Sequence, residues 1–519
     1  MSAAPPLYTP AGAGSLADLL RAGAERHPDR ELLVYENPDG EVLSWSWAEV
    51  LGRSREAAAS VAATGAGPGD RIHVHLRNRP EFLFTWFGAA LIGASIVPTN
   101  GAASVPEMAY IVGHAGTALS VTEAAAAADV AAARAAAGVA GPVLPCEGDG
   151  LRAAAAAQEP AVDPAAELGV IYTSGTTSRP KGVIVTHANY LYAGEVVAKA
   201  IALRPDDRLI VALPLFHANA QYYSTMGALS AGATLVLLPR FSAGRFVGQC
   251  IRHEATVASL FAAPIRMILA QEPLTEWRRH RLRVALFAQN VGESELALWE
   301  ERIGAPLLQL YGMTETIGPP LMNPIWGRRR ADALGKVSLG YTCRVVREDG
   351  SEAGPGESGQ LLVGGIPGVS VTRGYLDDPE ATAELLADGW LHTGDLVRVD
   401  ADGFFSFVDR RKDMIKRAGE NVAAGEIEAV VLEHPEVRDV AVVGVPDPIR
   451  DEAIVAFVVP RTDVGLDPEE LLAWCAERLS KFRVPGAIEI REELPRTSVG
   501  KVQKHLLRAA YAAEPKGGS

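Results

Sequence analysis

Two stretches of this chain, Phe82 to Pro106 and Leu209 to Pro239, carry no Asp, Glu, Lys or Arg. A charge-free, largely apolar segment of that length belongs in a core or in a bilayer, because most of its side chains gain little from water. The first stretch is broken by Gly88, Gly93, Pro98 and Asn100, and the second by Pro214, His217, Asn219, Gln221 and Gly232. A membrane helix needs about 20 continuous, predominantly apolar residues, so no membrane span is expected. Both stretches read as buried helices and strands joined by turns.

Around them helix and strand alternate. Ser15 sits where it caps an amphipathic helix carrying Leu16, Leu19 and Leu20. Strands are predicted at 32–35 and 42–45 around the turn Asn37-Pro38-Asp39-Gly40. Helix 48–63, strand 71–76, helix 81–91, strand 95–98 and helix 106–113 follow. The pattern resumes with a helix capped by Thr186, strand 209–213, helix 222–231 and strand 233–238, then short buried strands at 284–287 and 307–311. Such alternation argues for an α/β fold of helix-wrapped sheets. From about 335 to 408 it changes to short strands with Gly and Asp turns, which suggests a small β-barrel-like subdomain. The charge run Asp409-Arg410-Arg411-Lys412-Asp413 reads plainly as a solvated turn, and it also separates a remainder of about 100 residues, the size of a small α+β domain. The expected organisation is an N-terminal domain over 1–409, a hinge at 410–412 and a C-terminal domain over 413–519.

The 519 residues carry a formal net charge of -14, which argues against nucleic acid or an anionic membrane as the main partner. Cys146, Cys250, Cys343 and Cys475 are too scattered for a zinc site or a disulfide framework, and a cytoplasmic setting fits. The opening Met1-Ser2-Ala3-Ala4-Pro5-Pro6 does not read as a signal peptide.

Five stretches have the composition of a site. Tyr172 to Gly182 places Thr173, Ser174, Gly175, Thr176, Thr177, Ser178 and Lys181 between two apolar runs. Hydroxyls, free backbone N–H groups and one ammonium suit phosphate oxygens, while the plain reading is a polar turn between strands. This is not a P-loop, which needs Gly-Lys-Ser/Thr opening a helix. In Tyr311-Gly312-Met313-Thr314-Glu315-Thr316, Glu315 suits a hard cation such as Mg²⁺ and Tyr311 offers a flat face for a purine; alone, it is a strand-end turn with an exposed glutamate. Asp395, at the turn after Trp390-Leu391-His392-Thr393-Gly394, is either a ribose ligand or an Asp turn. His217 ends the strand at Pro214-Leu215-Phe216, where a lone His is more often structural than catalytic. Lys501, after Gly500, alone marks a surface loop.

Taken together and in this order, these stretches resemble the adenylate-forming superfamily of acyl-CoA synthetases, luciferases and nonribosomal adenylation domains, from about Leu16 to Leu507. The resemblance implies a loop from Thr173 to Thr177, with Lys181, that holds the β- and γ-phosphates of ATP. It implies adenine packed between Tyr311, with Gly312, and the strand Ala288-Gln289-Asn290. Thr314 matches an α-phosphate ligand, Glu315 the Mg²⁺ ligand, and Asp395 with Arg410 a ribose-binding pair. Lys412 matches the hinge, Lys501 the mobile lysine of adenylation, His217 a gate at the acyl pocket, and Gly419 the loop that turns inward for the thioester step with coenzyme A. The nearest similarity is to crotonobetaine/carnitine-CoA ligases, on Thr173 to Val183, Tyr311 to Ile317 and Lys416 to Val422, with Ser178 where most relatives have glycine.

The implied reaction is ATP-dependent adenylation of a small or aromatic carboxylic acid, then transfer to coenzyme A. The pocket would be lined by His217, Ala218, Asn219, Ala220, Gln221, Phe287, Gln289, Asn290, Met313 and Ile317. It has amides but no carboxylate to meet a trimethylammonium, although Tyr222 and Tyr223 could offer a cation–π face. A diazotase that activates nitrite for an aryl amine, or a stand-alone adenylating enzyme with another acceptor, shares the same ATP machinery. A homodimer is compatible with all of these.

Overall fold

The computed structural model describes residues 14–147, 151–153, 156–173, 180–289, 291–410, 413–417, 420–447, 451–461, 465–481, 483–496 and 502–513. The chain divides into two compact units, Met1–Cys343 with Val363–His392, and Arg344–Leu362 with Thr393–Ser519.

In the first unit the described strands form two sheets. A nine-stranded sheet runs in the order Lys336–Val337, Leu321–Met322, Leu307–Tyr311, Val284–Ala288, Val257–Phe261, Arg208–Val211, Thr234–Leu237, Glu31–Glu36, Val42–Ser46. Its centre is parallel, and the strands at both edges are antiparallel. A six-stranded sheet runs Val143–Pro145, Leu119–Thr122, Arg71–His75, Ser95–Pro98, Glu167–Thr173, Lys181–Thr186. The last two of these form an antiparallel hairpin.

The charge-free stretches lie where their composition requires. Helix Pro80–Ile92 is buried on every side, with Phe82 and Trp86 fully enclosed. A helix apolar all round is stable only inside a core, and truncating one such aromatic would cost about 3–5 kcal/mol. Helix ends follow their signals. Ser15 and Asp18 cap Leu16–Arg26 reciprocally, and Thr186 and Asn189 do the same for His187–Ala200. One reading differs. The helix predicted over 222–231 begins as a π-helical turn, Asn219–Thr225, before the α-helix Met226–Ala231. Such turns are rare and occur mostly at functional sites.

The second unit holds a five-stranded sheet in the order Glu420–Val422, Ile415–Arg417, Asp451–Pro460, Val437–Asp447, with Ala487–Ile490 parallel to Asp451–Pro460. Its two long strands alternate. Val440, Val442, Ile454, Ala456 and Val458 pack with Ile427, Val431, Leu471 and Cys475 from helices Ala424–Leu432 and Pro468–Arg478. Ala441, Val443, Val455, Phe457 and Val459 pack on the other face with Leu494 and Leu507. The stretch read as β-barrel-like forms a four-stranded sheet paired in chain order, Thr342–Val346, Ser358–Gly364, Leu391–Val399, Phe405–Arg410, most of it in this unit. Among the described residues no helix is long and apolar enough to cross a membrane.

Candidate active site

Strands Arg208–Val211, Val257–Phe261, Val284–Ala288 and Leu307–Tyr311 lie side by side and parallel, so the segments that follow them emerge at one edge of the sheet. Ligands of open α/β sheets bind in the crevice beyond such strand ends. Gln289 and Tyr311 both come from this edge, because Phe287 pairs with Gln309 in register. Gln289 holds φ +77, and the Gln309 side chain donates to its carbonyl at 3.1 Å. Gly312 is required here: a Cβ would lie 2.6 Å from the Tyr223 hydroxyl.

The next turn is strained and clamped. Ile317 is fully buried at φ +65, ψ -66, and the Gly318 N–H donates to the Thr316 carbonyl at 2.7 Å, closing a positive-φ γ-turn. A β-branched residue in this region costs about 1–3 kcal/mol. The Tyr341 hydroxyl offsets that cost. It donates to the Thr316 carbonyl and accepts from the Gly318 N–H, each at 2.8 Å. Thr314 and Glu315 are thereby held in a fixed place just ahead of the turn.

Glu315 is not the exposed glutamate of the plain turn reading; it is 5% exposed. Its Oε1 accepts from the Tyr375 hydroxyl at 2.8 Å, and its carbonyl accepts from the Thr372 N–H at 2.8 Å. Among the described residues there is no group of three or more His, Cys, Asp or Glu able to hold a metal. A single buried carboxylate fits a Mg²⁺ that arrives with phosphates, since this ion is commonly held by one or two carboxylates plus substrate oxygens.

Thr173 and Lys181 are paired in register at the end of the hairpin where its two strands connect. Between them the hydroxyl-bearing Ser174, Thr176, Thr177 and Ser178, together with Gly175, lie outside the described residues. Lys181 Nζ sits 3.7 Å from Asp378 Oδ2 and 4.9 Å from the centroid of the Tyr375 ring. Tyr375 thus touches both Lys181 and Glu315. Neither Tyr375 nor Asp378 stood out in the sequence; the Gly374-Tyr375 pair ahead of the acidic run is the one signal that could have drawn notice.

The expected acyl pocket is divided. His217 is half-buried and lies against Phe216, with ring centroids 4.1 Å apart. Asn219 accepts from the Ser259 hydroxyl at 2.8 Å. Met313 is half-buried beside Thr314. Gln221, by contrast, donates to the Leu215 carbonyl at 2.7 Å and accepts from the Tyr190 hydroxyl at 2.5 Å, so both ends of its amide serve the core. Phe287 packs among Ile265, Val291 and Trp299 in the core under the sheet. Tyr222 is fully buried, edge-on to Tyr190, with its hydroxyl toward the Thr314 carbonyl at 3.4 Å. Asn290 lies outside the described residues.

In the second unit Asp395 is 5% exposed and stands directly opposite Arg410 in the antiparallel ladder. Gly394 turns the chain into this position at φ +72. A cavity of about 350 Å³ is lined by Arg417, Ala476, Lys481, Val484 and Pro485. Lys412, Gly419 and Lys501 lie outside the described residues.

The AMP-binding enzyme family matches residues 20–376, and the AMP-binding enzyme C-terminal domain matches residues 426–501. The chain is 39% identical over 507 residues to a crotonobetaine/carnitine–CoA ligase of Salmonella arizonae, covering 93% of this chain and 96% of the relative. Its fold is similar to ATP-bound MatB from Rhodopseudomonas palustris, with TM-score 0.87 and 28% identity over 96% of this chain and 99% of the other. It is also similar to O-succinylbenzoate coenzyme A synthetase from Bacillus subtilis in complex with ATP and a magnesium ion, with TM-score 0.83 and 27% identity over 94% of this chain and 99% of that one. The motifs and their order, the helix-wrapped sheets with a smaller following domain, and matches spanning nearly the whole length place this chain in the adenylate-forming AMP-binding enzyme family.

Proposed function

We propose that the protein joins a small or aromatic carboxylic acid to coenzyme A in two steps driven by ATP. In the first, a carboxylate oxygen attacks the α-phosphorus, the bond to the β-phosphate oxygen breaks and pyrophosphate leaves. In the second, the coenzyme A thiolate attacks the acyl carbon and AMP leaves. The observation that carries the reading is that Lys181 and Glu315, far apart in the chain, are both in contact with Tyr375. A cation and a buried carboxylate so placed suit a triphosphate and its metal ion.

Each residue then has a task. Lys181 and Thr173, with Ser174, Gly175, Thr176 and Thr177, grip the departing pyrophosphate. Tyr311 and Gly312 face the adenine on one side, and Ala288, Gln289 and Asn290 on the other. Asp395 and Arg410 bind the ribose. Thr314 takes the α-phosphate, and Glu315 is the ligand for Mg²⁺, which would neutralise phosphate charge. Lys501 neutralises charge as two anions meet, and no side chain serves as a covalent nucleophile. Positioning supplies much of the rate. The C-terminal domain turns about Lys412 between steps, bringing Gly419 inward. The basic cavity beside Arg417 and Lys481 suits a phosphate-bearing end of coenzyme A.

The ligase of Salmonella arizonae is named for crotonobetaine and carnitine. Here Tyr222 is enclosed by its neighbours, which favours an acid without a quaternary ammonium. The test is a panel of acids with ATP and coenzyme A, followed by mass spectrometry. Acid-dependent pyrophosphate and coenzyme A-dependent AMP support the reading. A product that forms only with nitrite and an aryl amine would overturn it.

A further inference from the structure

Tyr375 lies in a segment sewn to its surroundings along its whole length. The backbone of Tyr375 bridges that of Val183 in antiparallel fashion, and its N–H donates to Thr382 Oγ1 at 2.9 Å. The Ile184 N–H donates to the Gly374 carbonyl at 3.0 Å, and the Leu376 N–H to the Gly182 carbonyl at 2.8 Å. The Thr372 hydroxyl donates to the Ile184 carbonyl at 2.7 Å, while its N–H holds the Glu315 carbonyl at 2.8 Å. Gly374 has φ +139, and a Cβ there would lie 2.4 Å from Thr382 Cγ2. The segment is therefore fixed to the strand that begins with Lys181 on one side and to Glu315 on the other.

The side chain uses this anchorage twice, since the hydroxyl meets Glu315 Oε1 at 2.8 Å and the ring faces Lys181 Nζ at 4.9 Å. The phenol is the donor in the first of these contacts and the carboxylate oxygen the acceptor. A hydroxyl that donates to one carboxylate oxygen restrains the carboxylate and leaves its other oxygen for a cation, and an aromatic face within about 6 Å attracts an ammonium.

We propose that Tyr375 is the positioning residue of the phosphate site: its hydroxyl sets the Glu315 carboxylate to receive a divalent cation carried by a triphosphate, and its ring holds Lys181 beside the same anion. This rests on the reading of Lys181 and Glu315 as nucleotide groups. The two functions of the side chain are separable. Tyr375→Phe removes the hydroxyl and keeps the ring, whereas Tyr375→Leu removes both.

The test is calorimetric titration of ATP into the full chain, with Mg²⁺ and separately with EDTA, for the native protein and both variants. Tyr375→Phe is expected to lose about tenfold to 100-fold in the affinity gained from Mg²⁺, as for a hydrogen bond to a charged group, and to match the native protein in EDTA. Tyr375→Leu is expected to weaken in EDTA as well. A Tyr375→Phe protein with the native Mg²⁺ response overturns this inference and leaves the nucleotide reading standing. Equal loss with Mg²⁺ and with EDTA in Tyr375→Phe marks a merely structural role and also overturns it. A native protein that binds no ATP removes the nucleotide reading, and this inference with it.

Discussion

The Lys181 ammonium rests 3.7 Å from the Asp378 carboxylate, so a triphosphate that takes this lysine must draw it from an anion already beside it. Asp378 also caps helix Pro379–Leu385, its Oδ1 accepting from the Ala381 N–H at 3.0 Å. Asparagine caps as well as aspartate. Asp378→Asn therefore removes the competing charge and keeps the helix. Both partners are partly exposed, so the gain is that of a surface pair, about 0.2–1 kcal/mol. The ATP KM should fall by a factor of about 1.4 to 5 at low ionic strength, and the difference should shrink in high salt. Pyrophosphate release measured against ATP concentration decides it; an equal KM for both proteins at low salt discards the competition.

The turn after Glu315 depends on one hydroxyl. Tyr341→Phe leaves the Thr316 carbonyl and Gly318 N–H without the partner that bridges them. The two groups still meet each other in the γ-turn, so the loss is that of the two bonds to the hydroxyl, about 0.5–1.5 kcal/mol each. Stability should drop by that order in urea, with faster amide exchange at Gly318 and weaker ATP binding, since Thr314 and Glu315 lose their support. Native exchange at Gly318 would show that the turn holds itself.

Gln221 should behave as a structural residue. Gln221→Ala strands the Tyr190 hydroxyl and the Leu215 carbonyl and opens a cavity. A loss of roughly 2–4 kcal/mol of stability is expected, with the ranking of acid substrates unchanged. A reordered acid panel at native stability would return Gln221 to the pocket.

A pH dependence follows from His73. Its ring is enclosed between Ser120 Oγ and Thr99 Oγ1, each at 2.9 Å. Burial, then the charges of His75 and Arg134, pushes its pKa down to about 3. An unfolded His takes a proton near pH 6.5, so between that pH and about 3 the unfolded chain binds more protons than the folded one. Stability should be level above pH 6.5 and fall below it, by up to about 1.4 kcal/mol per pH unit from this group. Urea midpoints from pH 7 to pH 5 for the native protein and His73→Asn should show a shallower slope in the variant. Identical slopes would assign the acid sensitivity to other groups.

Lys501→Ala should separate the two half-reactions. Adenylation should fall about 100-fold or more, the scale of removing one preorganised charge-stabilising donor. Thioester formation from a presynthesised adenylate should be largely spared. Equal losses in both would mean that Lys501 does not act in adenylation alone.

Much of the architecture was legible in the sequence because it is written locally. The charge-free stretch around Trp86 lies in the core, the Ser15 and Thr186 caps set helix starts, and the unbroken apolar runs at 440–445 and 454–459 are strands buried on both faces. Site motifs were legible as composition: a hydroxyl-rich loop, a strand-end glutamate and an aspartate at a turn. What those residues touch was not legible. Glu315 read alone as exposed and is buried; Gln221 and Phe287 read as pocket and serve the core; Tyr375 and Asp378 carried no motif that marked them.

The reason is physical. Periodicity, caps and turn residues act over a few neighbours, so the order of residues alone determined the elements, their faces and the chemistry available at each strand end. Partnership between side chains distant in sequence depends on which strand ends the sheet brings to one edge and which ring or carboxylate then lies within reach. The tertiary structure alone decided that Lys181, Tyr375 and Glu315 share one contact, and that the amide of Gln221 is already engaged.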